Sequence, residues 1–129
     1  MRIGVAPNQP HLAVFVLNPG QAGYEEPQTR AFYKDVRERV ASIPGVESVS
    51  WASNLPLFAR PVAGVQIEGR PERSPIDRVA TIINTVDDEY FQTAGVSILE
   101  GRGITELDRA ASQPVAVVNQ KFAQDYWPD

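Results

Sequence analysis

The chain has 129 residues, 43% hydrophobic and 22% charged, the make-up of one ordinary globular domain and not of a disordered segment. Its formal charge of −4 lacks the basic excess of a nucleic-acid binder, and the absence of cysteine excludes disulfides and thiolate metal sites. The longest apolar run, residues 12–17, is six residues against the roughly 20 needed to span a bilayer, and the first residues carry no signal-peptide pattern.

Residues 1–10 hold two prolines and read as a lead-in. Residues 12–18 are β-branched and aromatic and predict a buried strand, closed by Pro19 and Gly20, with a loop over 21–24. Glu25, Glu26 and Pro27 then suit a helix N-terminus, where negative charge meets the dipole and the missing proline N–H is not needed. Phe32, Val36, Val40 and Ile43 recur at helical spacing with Tyr33 beside them, while Lys34, Asp35, Arg37, Glu38 and Arg39 face solvent. Asp35 and Arg39 form an i,i+4 ion pair, and Pro44 with Gly45 ends the helix.

Residues 46–53 alternate as a half-buried strand, with Val49 and Trp51 on one face. Residues 55–63, with Pro56 and Pro61, predict a loop. Residues 65–68 and 78–86 predict two strands of a hairpin, joined through Gly69 and a polar turn over 70–75. Asp87 or Asp88 is suited to cap a short helix in which Tyr90 and Phe91 are core anchors and Gly95 takes the left-handed terminal position. Residues 96–99 extend, and Gly101-Arg102-Gly103 forms a turn with Arg102 held in a carboxylate or carbonyl fork. Residues 105–112 are polar and loop-like. Residues 115–118 predict a short buried strand, and 120–126 a helix with Phe122 and Tyr126 on one side, broken by Trp127 and Pro128.

Chemistry is sparse in this pattern. The single histidine, His11, has no choice of partners for a triad and reads as a strand-edge residue. Asp87-Asp88-Glu89 lacks the spaced oxygen ligands and central glycine of a calcium loop. Glu68, Glu100 and Asp108 could in principle supply a carboxylate pair for a free-standing hydrolase, but no spacing singles out two of them. Gly101-Arg102-Gly103 has neither the Walker lysine nor the dinucleotide fingerprint. The expectation is a chain that is not an enzyme, with no catalytic, cofactor or metal residues.

The ordered parts resemble a family. Phe32-Tyr33, then Pro44-Gly45-Val46-Glu47-Ser48-Val49, Ala52-Ser53-Asn54-Leu55-Pro56-Leu57 and Ile67-Glu68-Gly69 are similar to successive segments of the MacB-like periplasmic core domain. So are Tyr90-Phe91-Gln92-Thr93-Ala94-Gly95, Leu99-Glu100-Gly101-Arg102, Pro114-Val115-Ala116-Val117-Val118-Asn119, Phe122-Ala123 and Tyr126-Trp127-Pro128. No one motif is specific; their order over residues 12 to the end carries the resemblance. Where the family often has Ser-Pro-Gly before the Tyr-Phe pair, this chain has Asp87-Asp88-Glu89.

The resemblance implies an α+β fold: a mixed or antiparallel sheet with one long helix packed on it. It further implies a porter-like βαβ part over about residues 12–103 and the start of an inserted, sabre-like part over about 104–129. Strands and a helix that complete such domains would follow Asp129, making residues 1–129 an incomplete domain. The implied function is a non-catalytic extracytoplasmic domain of an FtsX/MacB-type ABC permease that relays ATP-driven movement to substrate or to an adaptor protein. The alternative is a permease-like scaffold regulating a partner such as a cell-wall hydrolase. The implied location is the periplasmic side of the bacterial inner membrane, anchored by flanking transmembrane helices. The implied partners are those helices, an ABC ATPase subunit, a periplasmic adaptor and a second copy. The family-motif residues are Phe32, Tyr33, Pro44, Gly45, Leu55, Pro56, Tyr90, Phe91, Gly95, Gly101, Arg102, Asn119, Phe122, Tyr126, Trp127 and Pro128.

Overall fold

A computed structural model describes residues 2–5, 11–54, 62–71, 78–109 and 111–128. The fold is mixed α/β, and the strands form two separate antiparallel pairs, not one sheet. The chain divides into two compact units, one of Met1–Ser50 with Glu89–Leu99, the other of Trp51–Asp88 with Glu100–Asp129.

In the first unit, β1 (Arg2–Val5) pairs antiparallel with β2 (Ala13–Val16), in the register Arg2↔Val16 to Val5↔Ala13. The lead-in expected at residues 1–10 is therefore a strand over 2–5, because β2 needs a hydrogen-bonding partner and Ile3-Gly4-Val5 supplies an extended one. The loop expected over 21–24 is partly a 3-10 turn, Pro19–Ala22. Helix α1 (Glu26–Ala41) begins as the sequence suggests: Glu25 is the N-cap, its N–H donates to Gln28 Oε1 at 3.0 Å, and Pro27 sits in the first turn. Its half-buried face is Phe32, Tyr33, Val36, Arg37 and Val40. Tyr24 meets Phe32 edge-on, with ring centroids 5.7 Å apart at 72°. The solvent face carries the expected Asp35–Arg39 pair at 2.9 Å. Ile43 does not share the buried face and is 53% exposed, because the helix stops at Ala41 and a turn carries Ile43 off the helical stripe.

Helix α2 (Tyr90–Thr93) belongs to the same unit. It is tied to α1 by Arg37, whose guanidinium lies 3.0 Å from the Glu89 carboxylate. Neither aspartate acts as the expected cap: the N-cap is Glu89, and no side chain makes a capping bond there. Gly95 has φ +65°, as expected of the position after a helix end.

In the second unit, β3 (Val62–Val65) pairs antiparallel with β4 (Val79–Ile82), Val62 opposite Ile82 and Val65 opposite Val79. The expected hairpin is present. Its first strand lies earlier than the 65–68 segment, and residues 66–71 form the bend instead, Arg70 N–H donating to the Ile67 carbonyl. Ile67 is 4% exposed and, with Pro19 of the first unit, one of two buried residues among those described. The strand expected over 46–53 is not a full ladder: it makes a single bridge, Ala52↔Val86. The buried strand expected over 115–118 is also corrected. Val115, Val117 and Val118 are 43%, 38% and 43% exposed and belong to no described ladder; an apolar extended run is buried only where another layer packs on its face. Helix α3 (Gln120–Tyr126) follows the sequence pattern, with Asn119 as N-cap and the Phe122 N–H donating to its Oδ1 at 2.7 Å. No described helix is long and apolar enough to cross a membrane.

Gly45 closes the α1 segment at φ +91° with open space around its missing Cβ. Gly45→Ala should thus cost only backbone strain, about 1–2 kcal/mol in a urea titration. No measurable loss would show that the turn does not require the left-handed conformation.

Candidate functional site

Three side-chain constellations organise the described residues. The first is the loop after Gly101, where the sequence placed Arg102 in a fork. Arg102 Nη1 and Nη2 donate to Asp108 Oδ2 and Oδ1 at 2.7 and 2.8 Å, a two-pronged pair, and Nη1 also donates to the Gly103 carbonyl at 2.9 Å. Asp108 Oδ2 further accepts the Thr105 N–H at 2.8 Å and its hydroxyl at 3.1 Å. The carboxylate is nearly covered, at 9% side-chain exposure, while Arg102 remains 58% exposed. The Arg102 hydrogen bonds and then the Thr105 amide hold the Asp108 carboxyl well below the usual carboxylate range. Asp108 is therefore committed to shaping this loop. That explains the glycines too: the turn must bring an arginine back onto a carboxylate six residues later, and Gly101 has φ +74° at its start.

The second constellation joins residues 51–54 to 83–87. The Asp87 N–H donates to the Trp51 carbonyl at 3.1 Å, and the Trp51 N–H donates to Asp87 Oδ2 at 2.9 Å. The Ser53 N–H donates to the Thr85 carbonyl at 2.8 Å, and the Thr85 N–H donates to Ser53 Oγ at 2.9 Å. Asn84 works from its side chain alone: Oδ1 accepts the Asn54 N–H at 2.9 Å and the Ser53 hydroxyl at 3.1 Å, and Nδ2 donates to the Asn54 carbonyl at 3.1 Å. Asn54 Nδ2 reaches the Ile83 carbonyl at 3.3 Å. Each rung beyond the Ala52↔Val86 bridge is thus completed by a side-chain oxygen or amide. Asp87, expected as a helix cap, is a rung of this crossing. Ser53 and Asn54 lie in a family-like segment that carried no expectation of a bonding role, and Asn84 lies in no motif. Their signal was polar residues of the kind that mimic backbone groups, set inside two apolar extended runs.

The third is aromatic. In α3, Phe122 lies 4.7 Å from Tyr126 and 6.0 Å from Trp127 between ring centroids, and the Arg70 guanidinium stands 4.8 Å over the Tyr126 ring. In the other unit Tyr90 and Phe91 meet edge-on at 5.5 Å and 84°. Both are half-buried, so they are packed but not enclosed.

The remaining motif residues are dispersed. Phe32 and Tyr33 line α1, Pro44 and Gly45 its terminal turn, and Trp127 and Pro128 are exposed after α3. Leu55 and Pro56 lie outside the described residues. His11, Glu68 and Glu100 are exposed. Among the described residues no three His, Asp or Glu side chains gather as metal ligands would. An open groove of about 440 Å³ lies on α1, lined by Tyr24, Gln28, Ala31, Phe32 and Asp35. Its polar groups are engaged elsewhere, Gln28 with the helix cap and Asp35 with Arg39.

Comparison with known proteins adds one positive finding. A family model described as the MacB-like periplasmic core domain matches residues 4–128. No curated protein and no solved structure matches the chain.

Two outcomes test these assignments. A carboxyl whose folded-state pKa is depressed adds stability above its ordinary value near 3.8, and that contribution is lost as pH falls below it. Thermal unfolding from pH 7 to pH 3 should thus show an acid-side loss that is smaller in Asp108→Asn, with the variant less stable than the parent at pH 7. Equal pH profiles would remove Asp108 from the loop's stability. Truncating Tyr90 or Phe91 to alanine should cost about 1–3 kcal/mol, less than the 3–5 of a fully enclosed aromatic. A loss under about 0.5 kcal/mol in denaturant would mean that neither ring anchors α2.

Proposed function

Because this chain belongs to the MacB-like periplasmic core domain family, we propose that it is the extracytoplasmic module of an ABC transporter permease, relaying ATP-driven movement to a substrate or an adaptor protein. The observation that carries this reading is the family match over residues 4–128, nearly the whole chain. The described side chains support it in kind. Their charged and polar groups are spent on loop closure, chain crossing and helix caps, which suits a part that holds and transmits shape. In this reading residues 12–103 form the porter-like part and 104–129 open the sabre-like part, a division by family segment distinct from the two compact units. The family-motif residues are then structural, keeping the turns and aromatic contacts of that module. The partners are flanking transmembrane helices, an ABC ATPase, an adaptor protein and a second copy of the permease.

This chain has no cysteine of its own, so in a parent gene whose other cysteines, if any, are replaced by serine, one introduced thiol reports on this module alone. Gln92→Cys, on the exposed side of α2, should react with a membrane-impermeant maleimide in intact spheroplasts expressing the parent gene, and the rate should change when ATP hydrolysis is blocked. Labelling only after lysis would refute the location. Labelling at one rate in both nucleotide conditions would refute the relay and leave the location standing.

A further inference from the structure

The crossing of residues 51–54 with 84–87 has an unusual construction. Around the Ala52↔Val86 bridge, an ordinary antiparallel pair would exchange backbone N–H and carbonyl groups at both flanking positions. Here each flanking pair keeps one backbone bond, Asp87 to Trp51 and Ser53 to Thr85, and gives the other to a side-chain oxygen, Asp87 Oδ2 or Ser53 Oγ. At the next position the Asn84 amide engages both the N–H and the carbonyl of Asn54, and Asn54 Nδ2 adds a longer bond to the Ile83 carbonyl at 3.3 Å. A side-chain acceptor can turn away to water by rotating about its own χ angles, with the backbone still in place, whereas a backbone carbonyl cannot. Ala52, Ser53 and Thr85 are exposed and the rest of the crossing only half-buried, so little apolar surface holds it shut.

Its place in the chain is also specific. The crossing closes the base of the excursion that carries β3 and β4, and the chain changes compact unit at 50/51 and 88/89, immediately beside the Trp51–Asp87 rung.

We infer that residues 51–54 and 84–87 form a releasable strap: a local two-state closure, locked by Asn84, that opens while β3 and β4 stay paired. Asn84 is its positioning residue, since its one amide engages both the N–H and the carbonyl of Asn54. The inference rests on the hydrogen-bond pattern and stands apart from the transport reading.

Hydrogen exchange on the 129-residue chain tests it. The amides of Trp51, Ser53, Asn54, Thr85 and Asp87 should exchange as one group, about tenfold or more faster than those of β3 and β4. Asn84→Ala should speed all five by about a further tenfold and leave β3–β4 unchanged. Asn84→Asp, which keeps the acceptor and loses the donor, should fall between. Exchange of the five at the β3–β4 rate or slower overturns the strap, as does an Asn84→Ala effect confined to the Asn54 amide. Should Asn84→Ala not fold, the parent chain and Asn84→Asp still decide.

Discussion

Much of the second unit depends on one constraint: two extended segments, whose bonded residues lie 30 to 36 apart in sequence at Asn54–Asn84 and Trp51–Asp87, must satisfy their backbone groups without a full ladder. Side chains meet that demand. Asp87, Ser53 and Asn84 present oxygens and an amide where backbone groups would otherwise stand, and the crossing they make defines where the β3–β4 excursion begins and ends. Partly buried backbone groups are best paired, and these residue types supply the partners that the crossing lacks from the backbone.

The same economy recurs in the Arg102 loop. A loop with no secondary structure needs an internal fastener, and a guanidinium fork on a covered carboxylate is among the strongest available. Thr105 adds two donors to the same oxygen, so Asp108 accepts four bonds, three on Oδ2 and one on Oδ1, all of them within the loop. A carboxylate that might have joined Glu68 or Glu100 in a hydrolytic pair is thereby accounted for as structure.

Among the described residues apolar burial, by contrast, is modest. Leu99, Leu107 and Val62 are 70%, 80% and 67% exposed, and Val115, Val117 and Val118 have no strand to cover them. The hydrogen-bonded crossing, the fork and the edge-on aromatic pairs therefore carry a larger share of local order than in a domain with a closed core. The chain belongs to a periplasmic domain family, and the polar residues described above build its loop and its crossing.

What the sequence determined by itself were the features written in consecutive residues. Helix α1 with its Pro27 start, helix α3 with Phe122 and Tyr126 on one side, the hairpin and the arginine fork all follow from spacing and turn chemistry over a few positions. The family, too, was legible in the order of short motifs. What only the tertiary structure decided were partners distant in the chain. It paired β1 with β2 where a lead-in was expected, and turned Asp87 from a helix cap into a rung against Trp51. It also left residues 115–118 uncovered and placed Asn84 on Asn54. The physical reason is common to all four: a strand, an aspartate or an asparagine states what bonds it can make, and only the folded chain states which distant group arrives to make them.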